Sequence, residues 1–236
     1  MPVKPDSVCA IVGAGPGNGA ALAQKFAAAG HRVALLARER DRLAELATTL
    51  PGAAAYHCDV SSAESITAAF AAIEGEMGPV DTLIYNAGKG VWGDALSVTP
   101  QDFETAWRVN TFGAFLCAQR VLPAMIAAAS GAIVFIGATA SRRGGAQTAA
   151  FAAAKGGQRL LAESLARTYG PTGVHVALLV IDAVVDEPLA RARLADRPAD
   201  FFCAPADIAD TALMLTRQKR SAWTFELEVR PCAEKW

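Results

Sequence analysis

Residues 8–19 read VCAIVGAGPGNG, a short apolar run broken by glycines at 13, 15, 17 and 19. Val8, Ala10, Ile11 and Val12 suit a strand buried in a parallel sheet, and the glycines allow a sharp turn and a close approach of backbone to a ligand. Apolar spacing then becomes helical through Ala20, Leu22, Ala23, Phe26 and Ala27 and stops at Gly30. Strand, turn and helix start together place bare N–H groups at a helix N-terminus, where a diphosphate is held by hydrogen bonds and the helix dipole. Gly13, Gly15, Gly17, Asn18 and Gly19 are the expected cradle; without a ligand the stretch is only a glycine-rich turn.

Outward from this unit, residues 32–37 (RVALLA) form a second apolar strand, and a helical pattern over 41–50 completes a βαβ arrangement. NAD-binding units carry an acid near this strand end. Here the position is Arg38, with Arg40 and Arg42 nearby, and a guanidinium suits the 2′-phosphate of NADP; the alternative is a solvated loop charge. Residues 53–58 give a third strand with Asp59-Val60 at its carboxyl end. Asp59 either bonds an adenine amino group or caps the turn into the helix at 64–76, which Ser61 or Ser62 opens.

The fourth strand, 81–85, runs into Asn86-Ala87-Gly88, small enough for a ribose to cross. Residues 100–129 are helical with a break near Trp107, and Asn110 lies inside, where an unpartnered buried amide costs about 1–3 kcal/mol. A fifth strand spans 133–137, and a helix over 147–169 carries Phe151 and Lys155 four apart on one face. After a sixth strand, 174–181, a loop with Pro188, Pro198 and Pro205 leads to a helix at 206–217 and a last strand at 225–229. Seven strands alternating with six helices predict a three-layer, doubly wound parallel sheet of Rossmann type, one domain over residues 1–236.

Composition narrows the partners. A chain of 236 residues, 53% hydrophobic, can bury one large core, and its net charge of −1 argues against nucleic acid or an anionic membrane surface. A small molecule or a second copy of the chain is the expected partner. The opening MPVKPDS lacks an apolar signal core and no uninterrupted apolar run reaches transmembrane length, so a cytoplasmic protein is expected. Cys9, Cys58, Cys117, Cys203 and Cys232 read as buried free thiols. His31, His57 and His175 lack ligand spacing, so no metal is expected.

In order along the chain, Gly13-x-x-x-Gly17-x-Gly19, Asp59-Val60, Asn86-Ala87-Gly88, Asn110 and Lys155 resemble the short-chain dehydrogenase/reductase family. The resemblance implies a seven-stranded sheet, a nicotinamide cofactor, a homodimer or homotetramer, and a catalytic Asn, Ser, Tyr and Lys. Asn110 and Lys155 match that tetrad. The family's Tyr-x-x-x-Lys instead reads Phe151-Ala-Ala-Ala-Lys155, the serine falls at Ala138, and the Pro-Gly after the sixth strand reads Ile181-Asp182.

Carbonyl reduction needs a proton as well as a hydride, and phenylalanine has none to give. Acid catalysis contributes roughly 10²- to 10⁴-fold and an oxyanion donor roughly 10²- to 10³-fold. The expectation is an NADP(H)-dependent oxidoreductase of a small carbonyl or alcohol with altered proton delivery. Lys155 acts as the acid, directly or through water held by Asn110. Thr139, next to the missing serine, binds substrate ahead of Ser141 and Thr148. Asp59, Val60, Asn86, Ala87, Gly88, Lys155 and Val184 join the cradle and Arg38 around NADP, residues 182–205 cover the pocket, and Trp92 and Trp107 line it. The alternatives are a dinucleotide-binding sensor or partner subunit without turnover, and a non-redox lyase or isomerase using Lys155 and Asp182.

Overall fold

In the computed structural model, which describes residues 6–233, β1 (Val8–Val12) is buried along its whole length. Its side chains alternate between two cores, Ala10 and Val12 facing one layer of helices and Cys9 and Ile11 the other, which is why the run is apolar without a break. The strands that follow are β2 (Arg32–Ala37), β3 (Ala54–His57), β4 (Val80–Tyr85), β5 (Gly131–Ala138), β6 (Val174–Ile181), the short β7 (Val184–Val185) and β8 (Phe202–Cys203), and β9 (Glu226–Val229). Seven of them form one sheet in the order β3-β2-β1-β4-β5-β6-β9, parallel at every pairing. Against one face lie α1 (Asn18–Ala28), α2 (Arg40–Thr48) and α8 (Pro205–Thr216), contributing Leu22, Phe26, Leu43 and Ile208. Against the other lie α3 (Ala63–Glu76), α5 (Gly113–Ala127) and α6 (Ala149–Tyr169), contributing Ile66, Phe70, Val121 and Ala162. This is the expected doubly wound α/β sheet.

Strand order reverses between β1 and β4, so the loops at their carboxyl ends part and leave a crevice, the usual ligand position in such sheets. The helical stretch from 100 breaks where expected: α4 (Pro100–Trp107) passes through a π-helical turn, Arg108–Phe112, into α5. The Tyr85 hydroxyl donates to the Val109 carbonyl at 2.5 Å, pinning that turn to the end of β4.

No uninterrupted apolar run reaches transmembrane length, yet Pro100–Ala127, 28 residues, is by length and composition apolar enough to cross a membrane; here Ala114, Cys117, Ala118 and Val121 pack it onto the sheet. Two expectations need correction. Residues 182–205 hold α7 (Pro188–Arg193) and the parallel β7–β8 ribbon, elements too short to leave a periodic signal. Four cysteines are buried thiols, but Cys232 is exposed. Residues 1–5, part of the opening read for a signal core, lie outside the described residues.

Candidate functional site

The turn after β1 owes its shape to close packing. Gly13 adopts φ 87°, and a Cβ there would lie 2.5 Å from the Ala87 nitrogen. At Gly19 a Cβ would come within 2.7 Å of the Ala14 Cα, so this glycine lets α1 start against the turn. Asn86 ties the two strand ends together: its N–H donates to the Val12 carbonyl and its Nδ2 to the Gly13 carbonyl, each at 2.8 Å. Nothing in the protein crowds Gly15.

Gly17 caps α1 at φ 82° with no side-chain cap, and the first turn holds no acid. Asn18 is buried, and its Oδ1 has no hydrogen-bond partner. The carboxylate of Glu187, from the loop after β7, lies on this helix end: the Asn18 N–H donates to it, and a Cβ at Gly17 would come within 2.6 Å of its Cγ and Cδ.

At the far end of the crevice Arg38 is exposed at the carboxyl end of β2. Asp59 turns to its own segment: its Oδ1 accepts from the Ser61 N–H at 2.9 Å and the Ser61 hydroxyl at 2.7 Å. Those bonds, with the Arg38 charge, hold its carboxyl below the usual carboxylate range. Of the two readings of Asp59, turn capping is the one these contacts express, while Ser62 caps α3. Val60 is buried in the core, with its carbonyl against Gly113 of α5.

The other end of the crevice is built by α6 and the π-helical turn. Lys155, buried on α6, donates from Nζ to the Ile136 carbonyl at 2.8 Å and to Gln158 Oε1 at 3.0 Å. Gln158 Nε2 in turn donates to the Asn110 carbonyl at 2.9 Å. The Asn110 amide donates to the Lys89 and Ala106 carbonyls at 2.9 and 2.8 Å and accepts from the Lys89 N–H at 3.4 Å. Burial pulls the Lys155 ammonium down to about 7. A Cβ at Gly88 would sit 3.4 Å from Asn110 Oδ1 and 4.0 Å from Lys155 Nζ, so the end of β4, Asn110 and Lys155 meet at one point.

One turn before Lys155, the half-buried Phe151 ring packs on Trp92 with centroids 5.3 Å apart. Trp92 thus lies beside the site; Trp107 instead stacks on Phe112. Two of the expected substrate hydroxyls are occupied elsewhere. Ser141 is buried and accepts from the Ala138 N–H at 3.1 Å, and Thr148 closes a turn with Gly145.

Thr139 donates its hydroxyl proton to Asp182 Oδ1 at 2.5 Å, so that proton is committed to a carboxylate and not offered to a substrate oxygen. Asp182 is buried, with Arg143 and Arg230 each 3.5 Å from its oxygens. Val184 is half-buried in the β7–β8 ribbon. Asp182 and Thr139 were singled out in the sequence, but Gln158, Glu187 and the pairing of Asp182 with Thr139, Arg143 and Arg230 were not, because these contacts join positions distant along the chain; Gln158, one turn from Lys155, is the one of them whose spacing carries a signal.

A family model described as short chain dehydrogenase matches residues 7–197. The 3-oxoacyl-[acyl-carrier-protein] reductase MabA of Mycobacterium tuberculosis is 30% identical over 218 residues, 89% of this chain and 85% of that protein. Among solved structures, a short-chain dehydrogenase from Rhodopseudomonas palustris superposes with a TM-score of 0.83 at 34% identity, covering 97% of this chain and 100% of that one. A metagenomic short-chain oxidoreductase in complex with NADP gives a TM-score of 0.84 at 29% identity, covering 98% and 99%.

Proposed function

This chain belongs to the short-chain dehydrogenase/reductase family, and on that premise we propose that it is an NADP(H)-dependent oxidoreductase of a small carbonyl or alcohol in which Lys155 delivers the proton. The residues present fit such a cofactor. Gly15 is uncrowded, the buried Asn18 Oδ1 lacks a partner, the end of β4 runs into the small Ala87 and Gly88, and a similar protein carries NADP on the same fold. In this reading Gly13, Gly15, Gly17, Asn18 and Gly19 hold the diphosphate and Arg38 the 2′-phosphate. Asp59 and Val60 border the adenine; Asn86, Ala87, Gly88 and Lys155 border the nicotinamide ribose, and Val184 the nicotinamide. The bound nicotinamide supplies the hydride, or accepts it in the reverse direction. Residues 182–205 close over the crevice as part of the single domain.

The observation that carries the reading is the state of Lys155. An ammonium has three N–H groups, and two of them are given to Ile136 and Gln158, which leaves one for the crevice. With its pKa near 7 the amine gives up and regains a proton at neutral pH, the condition for acid–base work. Phe151 and Ala138 stand where the family places tyrosine and serine, so slow turnover is expected. A lyase using Asp182 as base is less well supported, because that carboxylate already faces Thr139, Arg143 and Arg230.

The test is the double change Ala138→Ser and Phe151→Tyr with an activated ketone and NADPH. Reduction should rise at least about tenfold, the low end of acid catalysis, and Lys155→Ala in that background should remove the gain. A double variant that binds NADPH normally and reduces nothing would instead favour the non-catalytic sensor or partner-subunit reading.

A further inference from the structure

We infer that Glu187 is a built-in competitor for the cofactor's diphosphate: its carboxylate caps the N-terminus of α1 and must leave when a dinucleotide binds. The inference rests on the proposed cofactor reading.

Three observations on two distant segments carry it. The first is that α1 begins without any local anion: Gly17 supplies no side-chain cap, and the first turn contains no acid, although a helix N-terminus attracts negative charge. The second is that the missing anion comes from 170 positions along the chain, since the Asn18 N–H donates to the Glu187 carboxylate and the side chain lies directly over Gly17, whose lack of a Cβ makes room for it. The third is that Glu187 has no competing task. It stands at the N-cap of α7, yet its side chain caps nothing there, and only its carbonyl accepts from the Arg191 N–H, at 2.9 Å.

The loop around it is braced to present that side chain. Asp186 donates its N–H to the Cys203 carbonyl at 2.9 Å, and its carboxylate takes a two-bond contact from Arg191 at 2.6 and 2.8 Å. The Arg191 guanidinium in turn lies over the Phe202 ring, 4.1 Å from its centroid. Asp186 is thus held by the loop while its neighbour Glu187 reaches across to α1. Removal from water pushes the Glu187 carboxyl above its usual value, against the opposing pull of the Asn18 N–H, so the contact is made at a desolvation cost that a better-matched anion would relieve.

A carboxylate and a diphosphate oxygen want the same N–H groups and the same end of the helix dipole, so they exclude one another. Cofactor affinity is then reduced by the fraction of molecules in which Glu187 is seated. Expulsion of Glu187 also moves the residues that border the nicotinamide side, which links filling of the phosphate cradle to the position of the covering loop.

The experiment is equilibrium binding of NADPH and, separately, of inorganic pyrophosphate to the wild type, Glu187→Gln and Glu187→Ala, followed by calorimetry, with thermal melts confirming that each variant is folded. Both variants should bind NADPH at least about threefold more tightly than the wild type, the range for an anion at a helix end. Pyrophosphate should show the same order. Equal or weaker NADPH binding in both variants overturns the inference while leaving the cofactor reading intact. Absence of NADPH binding in all three proteins overturns the cofactor reading and the inference with it.

Discussion

Lys155 is the residue where environment and chemistry are most closely joined. Its amine is buried among the Ile136 carbonyl, Gln158 and Asn110, and burial lowers its pKa from 10.5 to about 7. Below pH 7 the amine is charged in both folded and unfolded chains, and the fold bears the full cost of burying it. Between about 7 and 10.5 the unfolded chain holds a proton that the folded chain has released, so stability rises with pH. Lys155→Met has no such group. The melting temperature of the wild type should therefore gain on that of Lys155→Met as pH is raised from 7 to 10, and parallel curves would show that the amine is not depressed. Arg38 makes a second residue-scale prediction. A charge-assisted contact with the 2′-phosphate contributes about 1.5–3 kcal/mol, so NADPH should bind at least about tenfold more tightly than NADH. Arg38→Asp should abolish or reverse that preference, and equal dissociation constants in the wild type would remove Arg38 from the site.

At the scale of elements, the turn between β1 and α1 is held by contact with the end of β4. Gly13→Ala would force a side chain into a left-handed backbone and against Ala87, and a cost of at least about 2 kcal/mol is expected in urea unfolding. In the π-helical turn, Asn110→Ala leaves the Lys89 and Ala106 carbonyls without their amide donor and should cost about 1–3 kcal/mol, even in a chain free of cofactor. Elements of this kind were readable from sequence for a physical reason: the strands are continuous apolar runs because both faces are buried, and β2 and β6 carry the same ends in the sequence reading as in the structure. The break near Trp107 was readable from the polar Asn110 amid apolar residues. By contrast, α7 and the two-residue strands β7 and β8 are fixed by distant contacts, such as Asp186 with Cys203, that leave no period. Within the site, Asn110 and Lys155 were legible by their order and spacing. The loss of Thr139 to Asp182 was not, since that bond joins the ends of β5 and β6, 43 positions apart.

For the whole molecule, the layers leave apolar side chains on the outer surfaces of the helices that cover one face of the sheet. Phe115 on α5 and Leu160 on α6 are exposed, Leu160 by 63%. A second copy of the chain packed on these helices would bury them, in keeping with the homodimer or homotetramer that the family resemblance implies. Sedimentation at micromolar concentration should give at least a dimer, and Leu160→Glu together with Phe115→Glu should shift it towards monomer; a monomeric wild type would contradict the assembly.

The wholly parallel sheet also sets the order of events on the ribosome. No strand of the main sheet can zip onto its sequence neighbour through a hairpin, because each pairing waits for a crossover to be made. Residues 8–57 can assemble β3-β2-β1, but the second edge of β1 stays bare until Val80–Tyr85 emerges, a matter of seconds at about 5–20 residues per second. During that interval the nascent chain presents an apolar, unpaired edge, Val8 to Val12, beside the glycine-rich turn that leads into α1. Slow translation between codons 58 and 80 is therefore the point at which newly made protein is most exposed to aggregation and most dependent on chaperones.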